Sequence, residues 1–277
     1  MTVKTIALIV FDSAEAEWLI QKCSALAVAF DAHVIGLHAF SQVVFYDGIM
    51  ATPMVYPTLQ AWEKDESNKI KDLFEETMRK NDLRSEFRRQ DALYGSETFL
   101  LAGTRGADLV VMGYNGATTR SPDDQAMAHR LIRNLGRPVL VLSPDAAVVA
   151  PFETIAIGWT ETREATRAAH DAIALAKPGA AISLIALVAH AGEETQGFDS
   201  RDDLATALDR HGYKVTTTDK LATADHRGKE LLRAATEANA TLLVAGAFGH
   251  SQFYDFMFGA VTSYLLQNAK LPVLLSR

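Results

Sequence analysis

Three glycines near the end of the chain have a spacing that suits phosphate binding. Gly246, Gly249 and Gly259 follow the pattern Gly-x2-Gly-x9-Gly. Glycine adopts positive φ readily, so the first two can turn their backbone N–H groups towards a ligand. Gly259 stands at the start of an amphipathic stretch, and the free N–H groups and positive dipole end of a helix favour an anion. The spacing therefore predicts an anion cradle built from backbone amides.

These glycines lie between a short apolar run and an amphipathic stretch, and the same alternation extends through the chain. Continuous apolar runs are typical of parallel strands that are buried on both faces. Predicted strands cover residues 5–11, 33–40, 108–113, 138–142, 154–158, 181–188, 214–218, 241–245 and 272–275. Predicted helices cover residues 14–30, 59–81, 96–104, 123–135, 162–176, 199–211, 225–239 and 258–267. The alternation predicts an α/β fold with doubly wound parallel sheets, in which ligands bind beyond the carboxyl ends of the strands, where the strand order reverses.

The chain also repeats itself. Three segments recur in the same order, with offsets of about 149, 133 and 134 residues. They are residues 5–8 and 154–157, residues 108–116 and 241–249, and residues 137–143 and 271–276. The first half carries roughly 16 extra residues, which we assign to a long loop at 41–60. We therefore predict two tandem domains, residues 1–147 and 148–277, joined by a linker at 145–151.

With these features together, the sequence resembles the universal stress protein family. Gly246, Gly249 and Gly259 match its nucleotide-binding signature, Gly-x2-Gly-x9-Gly-(Ser/Thr), and residues 154–168 resemble its first strand and the start of its first helix. The resemblance covers nearly the whole chain as two copies. It implies two Rossmann-like domains and ATP, with Mg²⁺, as the cofactor of the second. It also implies that the glycine loop holds the ribose and phosphates, while an Asp after the first strand contacts the adenine end.

The second half departs from the family pattern at two places. Ala260 stands where the signature has Ser or Thr, so one hydroxyl contact to phosphate is missing. Thr262, two residues further on, is a candidate to supply that hydroxyl. Thr160 stands where the adenine-side Asp is expected, with Glu161 next to it.

The first half departs further. Gly113 and Gly116 are present, but Ala126 stands where the third glycine should be. Asp123 and Asp124 put negative charge where a phosphate would lie, in a segment that starts like an ordinary helix, with Ser121 as N-cap and Pro122 first. Asp12 follows the first strand and could take the place of the family's Asp, but its spacing to Glu15 favours an N-cap in a capping box. We predict that this half does not bind a nucleoside triphosphate in the family manner.

The sequence contains few residue patterns that indicate catalysis or metal binding. His250 lies inside the glycine loop, as a ribose contact, a solvated loop residue or a general base for slow ATP hydrolysis. The sequence has no Gly-x4-Gly-Lys-(Ser/Thr) loop, no nucleophile elbow and no His-Glu-x2-His motif. The eight histidines show no metal-ligand spacing, and Cys23, the single cysteine, lies among helical apolar positions. The sequence therefore predicts neither a metal site nor an efficient enzyme, and at most weak ATP hydrolysis.

Composition limits the partners and the compartment. The formal net charge is −7 and the pI is about 5.6, without a cluster of Lys and Arg. Binding to nucleic acid or to an anionic membrane surface is therefore not expected. No apolar stretch approaches the roughly 20 residues that cross a bilayer, and the beginning of the sequence lacks a signal-peptide core. We expect a cytoplasmic protein.

The leading hypothesis is a stress-response switch or sensor that binds an adenine nucleotide in its second half. Residues 138–143 and 272–276 could pair within one chain and give an intramolecular pseudo-dimer, with a homodimer as a further option. One alternative is an interaction module of the same fold that binds no nucleotide. Another is a small-ligand or lipid binder that uses the apolar loop at 41–60, which contains Phe45, Tyr46, Met50, Met54 and Tyr56. An adenylyl-transferring or ATP-hydrolysing enzyme is the last alternative.

Overall fold

The fold is described from a computed structural model of the 277-residue chain. The structure describes residues 2–39, 55–90, 95–114, 122–188, 200–247 and 260–277. Strands and helices alternate along this part of the chain, as the sequence predicts.

Ten strands form one continuous sheet. The first five are β1 Thr5–Ile9, β2 His33–His38, β3 Ser85–Arg89, β4 Leu109–Gly113 and β5 Val139–Leu142. The second five are β6 Phe152–Trp159, β7 Ala176–Val188, β8 Lys214–Leu221, β9 Leu242–Gly246 and β10 Val273–Ser276. Their order across the sheet is β3-β2-β1-β4-β5-β10-β9-β6-β7-β8. The α/β class and the doubly wound, mostly parallel sheet are therefore confirmed.

In the described ranges, eight α-helices cover the two faces of the sheet. They are α1 Ser13–Phe30, α2 Val55–Lys80, α3 Ser96–Thr104, α4 Pro122–Asn134, α5 Arg163–Ile173, α6 Ser200–Arg210, α7 Arg227–Glu237 and α8 Ala260–Asn268. Apolar residues of α1, α2, α5 and α6 share one core cluster, and those of α3, α4, α7 and α8 share the other. Strand residues alternate between the clusters, so Ile6 and Leu8 face the first while Ala7 and Ile9 face the second.

Among the described residues, the strands of the two halves join through one antiparallel pair. Val273, Leu274 and Leu275 of β10 pair with Val141, Leu140 and Val139 of β5. All other strand pairs in the sheet are parallel. The carboxyl ends of the strands in the first half therefore point in the opposite direction from those in the second half.

Each half contains one reversal of strand order. In the first half it lies between β1 and β4, and in the second half between β6 and β9. We call the space beyond the carboxyl ends of β1 and β4 the first crevice, and the space beyond those of β6 and β9 the second crevice. These are the two places where a doubly wound sheet accommodates a ligand.

Three details differ from the sequence prediction. Strand β3 was not predicted, because its residues are only partly buried or exposed and carry charges at Glu86 and Arg88. The loop expected at 41–60 is wrong in its last part, since α2 begins at Val55. Pro57 lies in the first turn of this helix, where a missing N–H removes no helical hydrogen bond. Strand β7 begins at Ala176, five residues before the predicted start at 181.

The segment that joins the two halves has no regular secondary structure. Residues 143–151, between β5 and β6, form no helix or strand, and the sequence places its linker at 145–151. The division into domains 1–147 and 148–277 stays a prediction. In the described ranges, every helix is too short or too polar to span a bilayer.

Candidate functional site

The second crevice brings together residues from four elements of the second half. Gly246 is the last residue of β9, and Thr160 follows the end of β6 directly. Gly158 of β6 pairs with Ala245 of β9. Thr160 and Gly246 therefore lie within two positions of the same strand pair. The first turn of α5 begins on the same side, and α8 begins at Ala260. Gly249, His250 and Gly259 lie outside the described residues.

Gly246 has a packing role. Its φ is not positive, so the positive φ that glycine can adopt is not used at this position. A Cβ placed on it would lie 2.6 Å from the backbone N of Ala165 and 2.7 Å from the backbone C of Glu164. The first turn of α5 therefore approaches β9 more closely than any side chain at position 246 would allow. The glycine is required here whether or not a ligand binds.

The hydroxyl groups of two threonines line the start of α5. Thr162 is the N-cap, and its Oγ1 accepts a hydrogen bond from the backbone N of Ala165 at 3.2 Å. Thr160 Oγ1 lies 3.1 Å from Thr162 Oγ1, and Thr160 is exposed. Thr160 is thus available to a ligand in the second crevice, although it cannot supply the negative charge of the family's Asp.

A carboxylate does lie beside Thr160. Glu161 Oε2 accepts a hydrogen bond from Ser200 Oγ at 2.6 Å, and Glu161 Oε1 accepts one from Trp159 Nε1 at 3.4 Å. The two donors hold the side chain between the end of β6 and the start of α6. Sequence reasoning noted Glu161 only as the neighbour of Thr160, because the contact with Ser200 spans 39 residues.

A second carboxylate, that of Glu164, is buried under the first turn of α5. Its Oε1 accepts a hydrogen bond from Arg163 Nε at 2.6 Å. Burial alone would raise the pKa of Glu164, but the guanidinium groups of Arg163 and Arg277 outweigh it and hold this pKa below its usual range. Glu164 is therefore ionised at neutral pH. Sequence reasoning missed it, although Glu15 occupies the equivalent position in the first half.

The N-terminus of α8 has an exposed residue and a buried one. Ala260 begins the helix and is exposed. Thr262 is only 4% exposed, so its hydroxyl lies inside the protein. The structure therefore gives Ala260, and not Thr262, the open position at this helix end.

The first crevice has a different charge. Asp12 Oδ1 accepts a hydrogen bond from Glu15 N at 2.9 Å, which confirms the N-cap of the predicted capping box, while Glu15 Oε1 accepts one at 2.7 Å from the N of Phe11, the residue before the N-cap. Glu66 Oε1 accepts a further hydrogen bond from Ser13 N at 2.9 Å. Three carboxylates thus occupy the N-terminus of α1, the position that a phosphate would need.

The glycine of the first half also packs closely. A Cβ on Gly113 would lie 2.6 Å from Glu15 Oε2. Helix α4 begins at Pro122, as the sequence predicts, and it contains Asp123, Asp124 and Ala126.

Two further sequence predictions concern reactive groups. Cys23 is fully buried in α1, and this burial raises the pKa of its thiol to about 12. It behaves as a small hydrophobic residue, as predicted. In the part of the chain that the structure describes, no group of three or more His, Cys, Asp and Glu side chains could hold a metal ion.

Some predicted features cannot be placed. Phe45, Tyr46, Met50 and Met54 of the apolar loop lie outside the described residues, as do Gly116 and Ser121. The side chain of Tyr56 is not described either. Lipid or small-ligand binding by this segment stays a prediction.

Comparisons with known proteins agree with this architecture. Residues 151–277 match the model of the universal stress protein family. No curated protein matches the chain. Among solved structures, a universal stress protein from Archaeoglobus fulgidus superimposes with a TM-score of 0.69 at 14% identity, covering 98% of both chains.

Two proteins of Pseudomonas aeruginosa are also similar. One, named as a universal stress protein, has a TM-score of 0.60 at 15% identity and covers 99% of this chain and 93% of its own. The other, whose function is unknown, has a TM-score of 0.59 at 15% identity and covers 99% and 92%. At such low identities these likenesses show the fold alone. Residues 151–277 therefore form a domain of the universal stress protein family, and over nearly its whole length the chain has the fold of a universal stress protein.

Proposed function

We propose that this protein binds one adenine nucleotide, ATP with Mg²⁺, in the second crevice and acts as a stress-response switch or sensor in the cytoplasm. The observation that supports this most is the position of Gly246. It ends β9 at the point where strand order reverses, and the signature glycines Gly249 and Gly259 follow it in the domain that matches the family model. In this fold that point is where nucleotides are accommodated.

The described residues suggest how a nucleotide would be held. The exposed hydroxyl of Thr160 and the carboxylate of Glu161 stand beyond β6, where they can accept hydrogen bonds from ribose or adenine donors. The N-terminus of α8 at Ala260 offers backbone N–H groups to a phosphate. Gly249, His250 and Gly259 would complete the phosphate side.

Mg²⁺ would be bound mainly through the nucleotide. The carboxylates described at the second crevice are Glu161 and Glu164, and both already accept hydrogen bonds. Mg²⁺ commonly binds one or two carboxylates together with substrate phosphates and water. We infer that phosphate oxygens and water supply most of its ligands.

The first crevice would not take part. The carboxylates of Asp12, Glu15 and Glu66 surround the N-terminus of α1, and they would repel a triphosphate. We therefore propose one nucleotide per chain. The antiparallel pair of β5 and β10 supports the further proposal that the halves act as an intramolecular pseudo-dimer, with a homodimer as an additional possibility.

One alternative is favoured by a specific observation. Gly246 is needed for packing against α5, so it would remain in an interaction module that binds no nucleotide. Both hypotheses assume the same fold, so only a measurement of nucleotide binding distinguishes them. Slow ATP hydrolysis with His250 as a base stays a prediction.

The test compares equivalent glycines of the two halves. Titration of the purified protein with ATP is repeated on Gly249→Val and on its counterpart in the first half, Gly116→Val. We expect Gly249→Val to lose ATP binding and Gly116→Val to keep it, with both variants unfolding cooperatively. Gly246→Val is unsuitable because it would disturb the packing of α5. Equal binding by all three proteins, or none by the parent protein, rejects the proposal.

A further inference from the structure

Helix α2 has a buried row of residues that changes from apolar to polar towards its N-terminus. Ile70, Phe74 and Met78 are buried in the core, and Ser67 and Glu63 continue the row by one and two turns. Ser67 is 0% exposed and Glu63 is 6% exposed. Ser67 Oγ and Glu63 Oε2 have no hydrogen-bond partner within the ranges that the structure describes. We call these two side chains the α2 polar site.

The α2 polar site lies just beyond the carboxyl end of β2. A Cβ on Gly36 of β2 would lie 2.9 Å from the ring of Phe74, so these two residues stand at the same level. Because α2 connects the parallel strands β2 and β3 and runs opposite to them, the residues before Phe74 lie towards the carboxyl end of β2. Strand β2 continues about 7 Å past Gly36, to His38, whereas Ser67 lies about 10 Å from Phe74 along the helix axis. The two polar side chains therefore face the space beyond the strand ends, beside the first crevice.

The surroundings of the α2 polar site are acidic. Glu66 Oε1 accepts a hydrogen bond at 2.9 Å from the backbone N of the first residue of α1, so this part of α2 is in contact with the first crevice. Asp12 caps α1 at the same place. Arg89 approaches α2 from β3, but its Nη1 donates to Asn68 Oδ1 at 2.9 Å, outside the buried row. Several carboxylates in one place attract a cation.

The chemistry of the α2 polar site suits an ammonium group. Residues four apart on a helix have Cβ atoms about 5–6 Å apart, so one group between Glu63 and Ser67 can reach both oxygens. A carboxylate only accepts hydrogen bonds, and a primary ammonium group brings three donors and a positive charge. Burial raises the pKa of Glu63, since its charge lacks a compensating group. Among the residues with a described structure, no group of three His, Cys, Asp or Glu could hold a metal ion, so a metal is disfavoured.

The two halves differ in the length of this helix. The backbone N of Leu83 donates to Met78 O, and that of Tyr213 donates to Leu208 O, so the C-terminal ends of α2 and α6 correspond. Helix α2 has 26 residues and α6 has 11, so α2 extends further beyond its strands. Both residues of the α2 polar site lie in this extension. The helix length that the halves share therefore does not explain them.

We propose that Glu63 and Ser67 bind the primary ammonium group of a small amine beside the first crevice. The first half then has a ligand of its own, opposite in charge to the nucleotide proposed for the second half. The inference does not depend on nucleotide binding, because no residue of the second crevice takes part in it. It also gives a reason for a buried carboxylate oxygen without a partner, which otherwise only costs stability.

The experiment measures binding of putrescine to the full chain by calorimetry at low salt and without nucleotide. The butanediol of the same chain length, with hydroxyls in place of the ammonium groups, is the neutral control ligand. We expect putrescine to bind the parent protein and Glu63→Gln to weaken this binding roughly tenfold or more, as loss of a charged hydrogen bond does. Ser67→Ala should weaken it roughly three- to tenfold. The matched control Glu76→Gln removes an exposed carboxylate that pairs with Lys80 on the same helix, and it should bind like the parent protein.

The outcomes separate this inference from the proposed function. No binding of putrescine by the parent protein, or equal binding by Glu63→Gln, overturns the inference. Equal binding of the diol, or Mg²⁺ that displaces putrescine and itself requires Glu63, overturns the choice of an amine. Putrescine binding that requires Glu63 supports the inference even if ATP does not bind, so the two proposals fail separately. If Glu63→Gln does not fold, Ser67→Ala decides in its place.

Discussion

Gly246 lies so close to Glu164 that a Cβ at position 246 would come within 2.7 Å of the backbone carbon of Glu164. In the first half a Cβ at Gly113 would meet side chains of the first helix instead, Glu15 Oε2 at 2.6 Å and the Trp18 ring at 2.9 Å. In the second half the glycine therefore lets the backbone of the first helix pack directly against the fourth strand. The first position of the glycine signature therefore serves the fold, and a ligand needs the later positions.

Replacing Gly246 with alanine should destabilise the protein. The added methyl group would overlap the backbone of α5, and strand β9 is fixed between two neighbours. Overpacking of this kind costs roughly 1–3 kcal/mol. Urea denaturation of Gly246→Ala, monitored by circular dichroism, measures the loss.

Gly106→Ala is the matched control for this prediction. A Cβ at Gly106 meets nothing within 4 Å, and its φ is not positive. Its stability should stay within about 0.5 kcal/mol of the parent protein or rise slightly. Equal stability of the two alanine variants would show that the approach of α5 to β9 is looser than described.

Glu63 should destabilise the protein at neutral pH. It is 6% exposed in α2, and its Oε2 has no hydrogen-bond partner among the residues described. Burial raises the pKa of Glu63 above its ordinary value of 4.5, so the ionised form carries a penalty in the folded state. Glu63→Gln should therefore gain on the order of 1 kcal/mol at pH 7 to 8.

The pH dependence provides the check. The penalty is complete above the folded-state pKa of Glu63, and it disappears below pH 4.5, where the carboxyl is protonated in both states. The advantage of Glu63→Gln in urea denaturation should shrink as the pH falls towards 4. The control Glu76→Gln removes a carboxylate whose hydrogen bond to Lys80 lowers its pKa, so this variant should gain nothing. A constant advantage at all pH values would contradict the assignment.

Cys23 should be unreactive while the protein is folded. It is fully buried, and its pKa of about 12 leaves almost no thiolate at neutral pH. A chromogenic disulfide reagent at pH 8 should react slowly with native protein and rapidly with one thiol per chain in denaturant. Rapid stoichiometric labelling of the native protein would mean that α1 opens easily.

Ala260→Ser should strengthen ATP binding if the second crevice binds phosphate. Ala260 is the exposed first residue of α8, and serine would restore the hydroxyl of the family signature. One added hydrogen bond to a phosphate should tighten binding roughly three- to tenfold. Calorimetry measures the change, with thermal denaturation to confirm that stability is unaffected. Unchanged affinity would indicate that no phosphate lies near this helix end.

Most of the fold could be predicted from the sequence. The buried strands are nearly continuous apolar runs, and the repeat of these runs indicates two similar halves. Strand β3 escaped notice because an outer strand keeps one side free of neighbours and tolerates charges such as Glu86 and Arg88. The start of β7 was misjudged because Pro178 and Gly179 resemble a turn, yet they continue the strand.

The site was less predictable, and the reasons differ between residues. The spacing of glycines indicates the second crevice, where Gly246 lies without using the positive φ that glycine can adopt. Glu164 could have been found by aligning the two halves, because it stands at the position that Glu15 occupies in the first half. The contact of Arg277 with the backbone O of Arg133 could not, since the two residues lie 144 residues apart and meet only because β5 pairs with β10.

The number of ATP molecules bound by each chain tests the central claim most directly. Equilibrium dialysis of the intact protein with labelled ATP and Mg²⁺ gives this number without any substitution. The account predicts saturation at one ATP per chain, because the acidic first crevice rejects the phosphates that the second crevice accepts. Saturation at two per chain, or no binding at millimolar ATP, would contradict it.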